Sequence, residues 1–219
     1  MGTFVKGLAR SCALMGVAAI GAAGCGGTSA AEGASTARVK GAASPQAAVT
    51  RFLAPFGAPP KATGGGEAEQ RKAVAAWYRD VCGRVDPAYR ALADKSDFRC
   101  GDATSTCGAL VVIATLDPGE TAGVLGPTSI AGTPRAAATR GETSVVTVDV
   151  RYGVPRGGGA AGAEHPTPRR ATVKVLVARS AGRWFVATPE AFNVRYVIDG
   201  GLSEAQLRAK FAAVRSGGG

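Results

Sequence analysis

Val145-Val146-Thr147-Val148-Asp149-Val150-Arg151-Tyr152 places an apolar side chain at every second position. A two-residue period marks a β-strand with one dry face and one wet face, because successive side chains leave a strand on opposite sides. Val146, Val148, Val150 and Tyr152 share one face; Val145, Thr147, Asp149 and Arg151 share the other. Val173, Val175 and Val177 repeat the pattern. Ser180-Ala181-Gly182 has turn chemistry, and Arg183 to Ala187 follows with Trp184 and Val186 on one side. Residues 128–139 predict a weaker strand before a turn at Gly141, and Val194, Tyr196 and Ile198 predict another. The Gly-rich stretch 153–168 between the two strongest strands predicts a long loop.

Upstream the period changes to that of helices. Ser44-Pro45 combines a capping hydroxyl with a proline whose missing N–H costs nothing in a first turn. Val49, Phe52, Leu53 and Phe56 then form one stripe, ended by Gly57 and Pro59-Pro60. Glu67 opens a longer helix with acids at its positive end and Val74, Trp77, Tyr78, Val81 and Cys82 on one side. Asp86-Pro87 starts a short helix through Tyr89, Leu92 and Ala93. The apolar run Cys107 to Leu116 has no clear period and is assigned to helix. Ser203 with Gln206 forms a capping box ahead of a final helix through Leu207, Phe211 and Val214. Helices followed by strands predict an α+β fold: N-terminal helices packed on a curved antiparallel sheet, cone-like in shape.

The first residues carry an address. Met1 to Arg10 holds Lys6 and Arg10 and no acid, and Ser11 to Ala23 is a short apolar run. About 20 apolar residues are needed to span a bilayer, so this run fits the core of a signal peptide. Ala22-Ala23-Gly24-Cys25 resembles the lipobox of bacterial lipoproteins, with Ala22 where the first lipobox residue is usually leucine. The resemblance implies cleavage before Cys25, diacylglyceryl transfer to its thiol, and a protein held by acyl chains on the extracytoplasmic face of the cell membrane. Ala22 and Gly24, or Ser29 to Ala31, would also suit a general signal peptidase, which would release the protein instead. Residues 1–24 are then the leader, 25–43 a flexible Gly/Ala/Ser/Thr tether with an r.m.s. reach of roughly 23 Å, 44–200 the folded domain, and 201–219 a C-terminal helix and tail.

The chain has 219 residues and a net charge of +10, of which Lys6 and Arg10 supply two. A basic domain outside the cytoplasm suits anionic headgroups, acidic polymers or acidic proteins, and nucleic acid is not an expected partner there. Cys82, Cys100 and Cys107 remain in the domain, an odd number for an oxidising compartment. Cys82 lies on a buried stripe and Cys107 opens an apolar run, so Cys82–Cys107 is the expected disulfide. Pairings through Cys100, which sits among Asp97, Arg99 and Asp102, are the alternatives. Their spacings and the single histidine do not suit a zinc site.

Catalytic signatures are sparse. Gly157 to Gly162 satisfies a dinucleotide fingerprint literally, but Pro166, Pro168 and a strand follow where a helix N-terminus is required. His165 stands before Pro166 in the same loop, with no partner to make it a general base. No catalytic residue, cofactor or metal is therefore assigned. Trp77, Tyr78 and Trp184 are expected in the core, with a ligand cleft as the alternative.

Cys82-Gly83-Arg84-Val85-Asp86-Pro87-Ala88-Tyr89-Arg90-Ala91-Leu92, Thr106-Cys107-Gly108-Ala109-Leu110 and the hairpin ending Gly182-Arg183-Trp184 together resemble lipoproteins with a nuclear-transport-factor-2-like domain, the SnoaL-like superfamily. The likeness covers roughly residues 44–190 and leaves out the 153–168 loop and the last helix. It implies a cone between sheet and helices, filled by side chains or a small apolar ligand, or a rim that holds an envelope protein. Enzymes of that class place an acid on the concave sheet face as proton shuttle. Asp149 is the matching acid, so an isomerase, cyclase or hydrolase is the alternative to a non-catalytic binding or scaffold domain. The strand period, however, puts Asp149 on the polar face and predicts it outward and solvated.

Overall fold

The computed structural model describes residues 41–60, 66–118, 124–153 and 169–217. The lipobox with Cys25, the Gly157–Gly162 run and His165 lie outside them.

Four helices come first: α1 (Pro45–Leu53), α2 (Glu67–Cys82), α3 (Pro87–Lys95) and α4 (Ala103–Thr115). Each start has a local cause. The Ser44 hydroxyl accepts from the Ala47 N–H, Asp86 from Ala88, and Asp102 from Ser105 at 2.7 Å, while α2 begins on two acids that complement its dipole. The run read from Cys107 thus begins earlier, at the Asp102 cap. It lacks a period because Cys107, Gly108, Ala109, Val111 and Val112 are all buried, so the helix is apolar on nearly every side.

The strands are β1 (Asp117–Pro118), β2 (Val124–Ile130), β3 (Arg135–Ala136), β4 (Thr143–Gly153), β5 (Arg169–Ser180) and β6 (Arg183–Val186). They pair in the order β1-β2-β4-β5-β6, all antiparallel, and β3 joins β4 on the edge that β2 also uses. The single strand expected over 128–139 is therefore two pieces. Gly132 and Pro134 fall in the break, and proline has no N–H to give a ladder.

The sheet is strongly curled, a half-barrel, with the helices of residues 45–115 packed on it. Its curl is visible in what α1 touches. A nine-residue helix is about 13.5 Å long, yet α1 meets β2, β3, β4, β5 and β6. Only a sheet bent around the helix allows that. Val49 and Phe52 are fully buried there, as are Val146 and Val150 of β4 and Val175 of β5. Each such side chain contributes roughly 1.5–3 kcal/mol by leaving water.

One reading needs correction, and two segments pack more than their local sequence indicates. Val194, Tyr196 and Ile198 do not form a strand; Val194–Ile198 is a short helix, α5. Asn193 decides this, its side chain accepting from the Arg195 N–H and donating to the Ala114 and Leu116 carbonyls. Ile198 is 68% exposed, so the apparent alternation had no buried face to serve. The stretch taken as tether is recruited at its end: Ala42 is buried and exchanges backbone hydrogen bonds of 2.8 and 2.9 Å with Trp184, covering the β6 edge. The last helix, α6 (Glu204–Ser216), carries the apolar stripe expected of it and turns it onto the sheet. Leu176, Ala178 and Phe185 lie on the sheet face opposite Val175 and Val177, yet they are buried. On that side α6 packs against β5 and reaches α3, with Leu207 and Phe211 turned inward.

Cys82 and Cys107 are joined by a disulfide, with Cα atoms 5.6 Å apart, tying the end of α2 to α4. The two helices approach closely. A Cβ added at Gly108 would sit 2.0 Å from the Tyr78 carbonyl oxygen.

Candidate functional site

The outer face of the sheet carries the one acid singled out from the sequence. Asp149 lies opposite Thr172 across the β4–β5 ladder, and the Thr172 hydroxyl donates to its Oδ1 at 2.7 Å. Gly132 closes over the other oxygen, with space for a Cβ only 3.4 Å from Oδ2. Asp149 is half-buried and sits on the same face as Thr147 and Arg151, away from α1. The concave face belongs to Val146, Val148 and Val150. Asp149 therefore points outward as the strand period predicted, but it is half-buried and engaged by Thr172 rather than fully solvated.

Around Asp149 the register assembles cations. Arg135 of β3 pairs with Thr147, and Thr147 with Lys174 of β5; four residues on, beyond Asp149, Arg151 pairs with Arg170. All four cations are exposed. Among the described residues none is within ion-pair distance of a carboxylate, although the Lys174 charge acts on Glu204 of the last helix.

The aromatic residues pack. Trp77 meets Phe56 edge-on with ring centroids 5.8 Å apart, and its indole N–H donates to the Pro55 carbonyl at 3.0 Å. Phe56 leans on Phe52, which stacks on Phe192. Tyr78 lies beside Trp77, while Trp184 is buried in β6 against Ala42.

A second polar cluster escaped sequence reasoning. Tyr89 of α3 donates at 2.7 Å to Glu190, in the 3-10 turn Pro189–Phe192 after β6. Burial raises the Glu190 carboxyl above its ordinary range, against the pull of the Tyr89 hydrogen bond and the Lys210 charge. The Tyr89 phenol is raised well above its own range, first by burial and then by the Glu190 charge. Asp86, 2% exposed, is also raised by burial, which the Ala88 N–H and Arg215 only partly offset. Arg215 stands 3.8 Å from Asp86 and stacks on Phe211; Lys210 reaches the Tyr196 hydroxyl. These groups hold α6 against α3. The one local signal was Asp86 as a helix cap.

A cavity of about 140 Å³ lies under the start of α6, lined by Ala137, Ala138, Arg140, Val145, Glu204 and Arg208. Small-molecule pockets are commonly ≈ 300–1,000 Å³, so this one is undersized for such a ligand. In its wall the Arg208 guanidinium is already engaged, donating to Glu204 and to Thr143. No group of His, Cys, Asp and Glu among the described residues could hold a metal ion, and no helix among them is long and apolar enough to cross a membrane.

No family model, curated protein or solved structure matches the chain.

Proposed function

We propose that this chain is a lipid-anchored extracytoplasmic lipoprotein whose folded domain binds or scaffolds rather than catalyses. Cys25 carries the acyl chains, the residues after it form the tether, and the half-barrel is of the nuclear-transport-factor-2-like kind. The observation that carries the non-catalytic reading is the opposition between α1 and Asp149. The helix occupies the curl where an enzyme of the SnoaL-like class would hold substrate, while the acid sits on the outer face with Thr172 on one oxygen. With Val49 and Phe52 in that curl, an envelope protein at the domain surface is favoured over a small apolar ligand inside it.

Growth of bacteria expressing the full chain on labelled palmitate tests the anchor. The wild type should take up label and sediment with membranes, and Cys25→Ser should do neither. Equal labelling of the two proteins would remove the proposal's first premise.

A further inference from the structure

We infer that the outer face of β3, β4 and β5 is a docking surface for anionic phospholipid headgroups. Four cations project from it in the first and third of three consecutive cross-strand rows: Arg135 and Lys174 flank Thr147, and Arg151 faces Arg170, with Asp149 and Thr172 in the row between. From strand spacings of ~4.8 Å and a rise of ~3.3 Å per residue, the patch measures roughly 10 by 13 Å.

The chain bears a cost here. Like charges directly opposite one another destabilise an antiparallel pair. Arg151 and Arg170 are in that arrangement, both exposed, with no described carboxylate bridging them. Asp149 is the one acid among these rows, and Thr172 engages one of its oxygens. Headgroup phosphates laid across the rows would neutralise both arginines at once.

Two features favour a membrane over an acidic protein. Apart from Asp149, the patch is made of Arg, Lys, Thr and Ser side chains, without the buried aromatic or aliphatic anchor that dominates stable protein interfaces. The length of the tether also allows it. Ala42 pairs with β6, the neighbour of β5, so a tether with a reach of roughly 23 Å leaves the face free to lie on the surface that holds the lipid. That part of the inference rests on the proposed anchor; the affinity of the face for headgroups does not. The acyl chains would hold the protein, and the cations would set which side faces down.

The test uses the full chain with Cys25→Ser, so that no acyl group can carry it. Co-sedimentation is measured with vesicles of phosphatidylcholine alone and of phosphatidylcholine mixed with phosphatidylglycerol. Binding above the neutral-lipid level should require phosphatidylglycerol and fall steeply with salt. Arg151→Gln/Arg170→Gln should weaken it about 25-fold, at about fivefold per cation, with circular dichroism showing an intact fold. Arg71→Gln/Lys72→Gln removes the same formal charge from α2, which packs chiefly on α4, and should change binding far less. Equal losses from the two double variants would overturn the inference, reducing it to net charge. So would retention of polyglutamate without phosphatidylglycerol binding, the outcome expected of a surface for acidic proteins. Palmitate labelling of Cys25 is read separately, so failure of the anchor and failure of this face are distinct results.

Discussion

Tyr89 and Glu190 stand 101 positions apart in the chain and share a 2.7 Å hydrogen bond, the phenol donating and the carboxylate accepting. The bond joins α3 to the turn after β6, beneath α6. Tyr89→Phe removes the donor and leaves a buried acceptor unsatisfied, which costs about 1–3 kcal/mol. Urea unfolding at neutral pH should show that loss. Glu190→Gln keeps an oxygen for Tyr89 while removing the charge, and should cost less.

The same cluster sets a pH dependence. Burial raises the folded-state pKa values of Asp86 and Glu190 above their ordinary values of 3.8 and 4.5. Their contribution to stability is fully present below those ordinary values and is lost as pH rises through the raised ones. Stability should therefore climb as pH falls from neutral towards about 4.5. Glu204 has the opposite sign: the Arg208 hydrogen bond lowers its pKa, so its contribution is lost as pH falls through the lowered value. Thermal melts across this range should show the climb, and Asp86→Asn with Glu190→Gln should flatten it. Asn retains the side-chain oxygen that caps α3.

The contact between α2 and α4 tolerates little change. Gly108→Ala drives a methyl into the Tyr78 backbone and should destabilise by about 1–3 kcal/mol or more through overpacking. Replacing both Cys82 and Cys107 with alanine opens a loop with a sequence separation of 25, worth roughly 3–4 kcal/mol on the chain-entropy account. A reductant should lower the melting temperature of the wild type and leave that of the double variant unchanged.

Where neighbouring residues carried the information, the fold was legible. The alternation at Val145–Tyr152, the caps at Ser44 and Asp86, and the Ser203/Gln206 box all describe contacts within a few positions. The Cys82–Cys107 pairing could be argued from two apolar settings. What stayed hidden depends on distant partners. The α5 helix required Asn193 to reach carbonyls at the end of α4, and Ala42 joined the sheet only because Trp184 offers an open edge. Burial of Leu176 on the supposedly wet face depended on α6 returning to cover it. At the candidate site, the outward aim of Asp149 followed from the strand period. The row that sets Arg151 against Arg170 followed from the β4–β5 register, which the period alone does not give.

The β5–β6 hairpin contains a replaceable residue. Ala181 and Gly182 both have positive φ, 46° and 75°, between the paired Ser180 and Arg183. That geometry suits Asn-Gly, and alanine adopts it at a cost. Ala181→Asn should stabilise by about 0.5–1 kcal/mol, read as a higher urea midpoint with an unchanged slope.

We propose that the cell cleaves this chain before Cys25 and lipidates the new N-terminus, and the anchored reading of its function follows from that. Intact-mass spectrometry of the mature protein recovered from its host membrane tests it most directly. The account predicts a polypeptide starting at Cys25 with a mass increment equal to its acyl groups. A freely soluble polypeptide that starts elsewhere and bears no acyl group would contradict it.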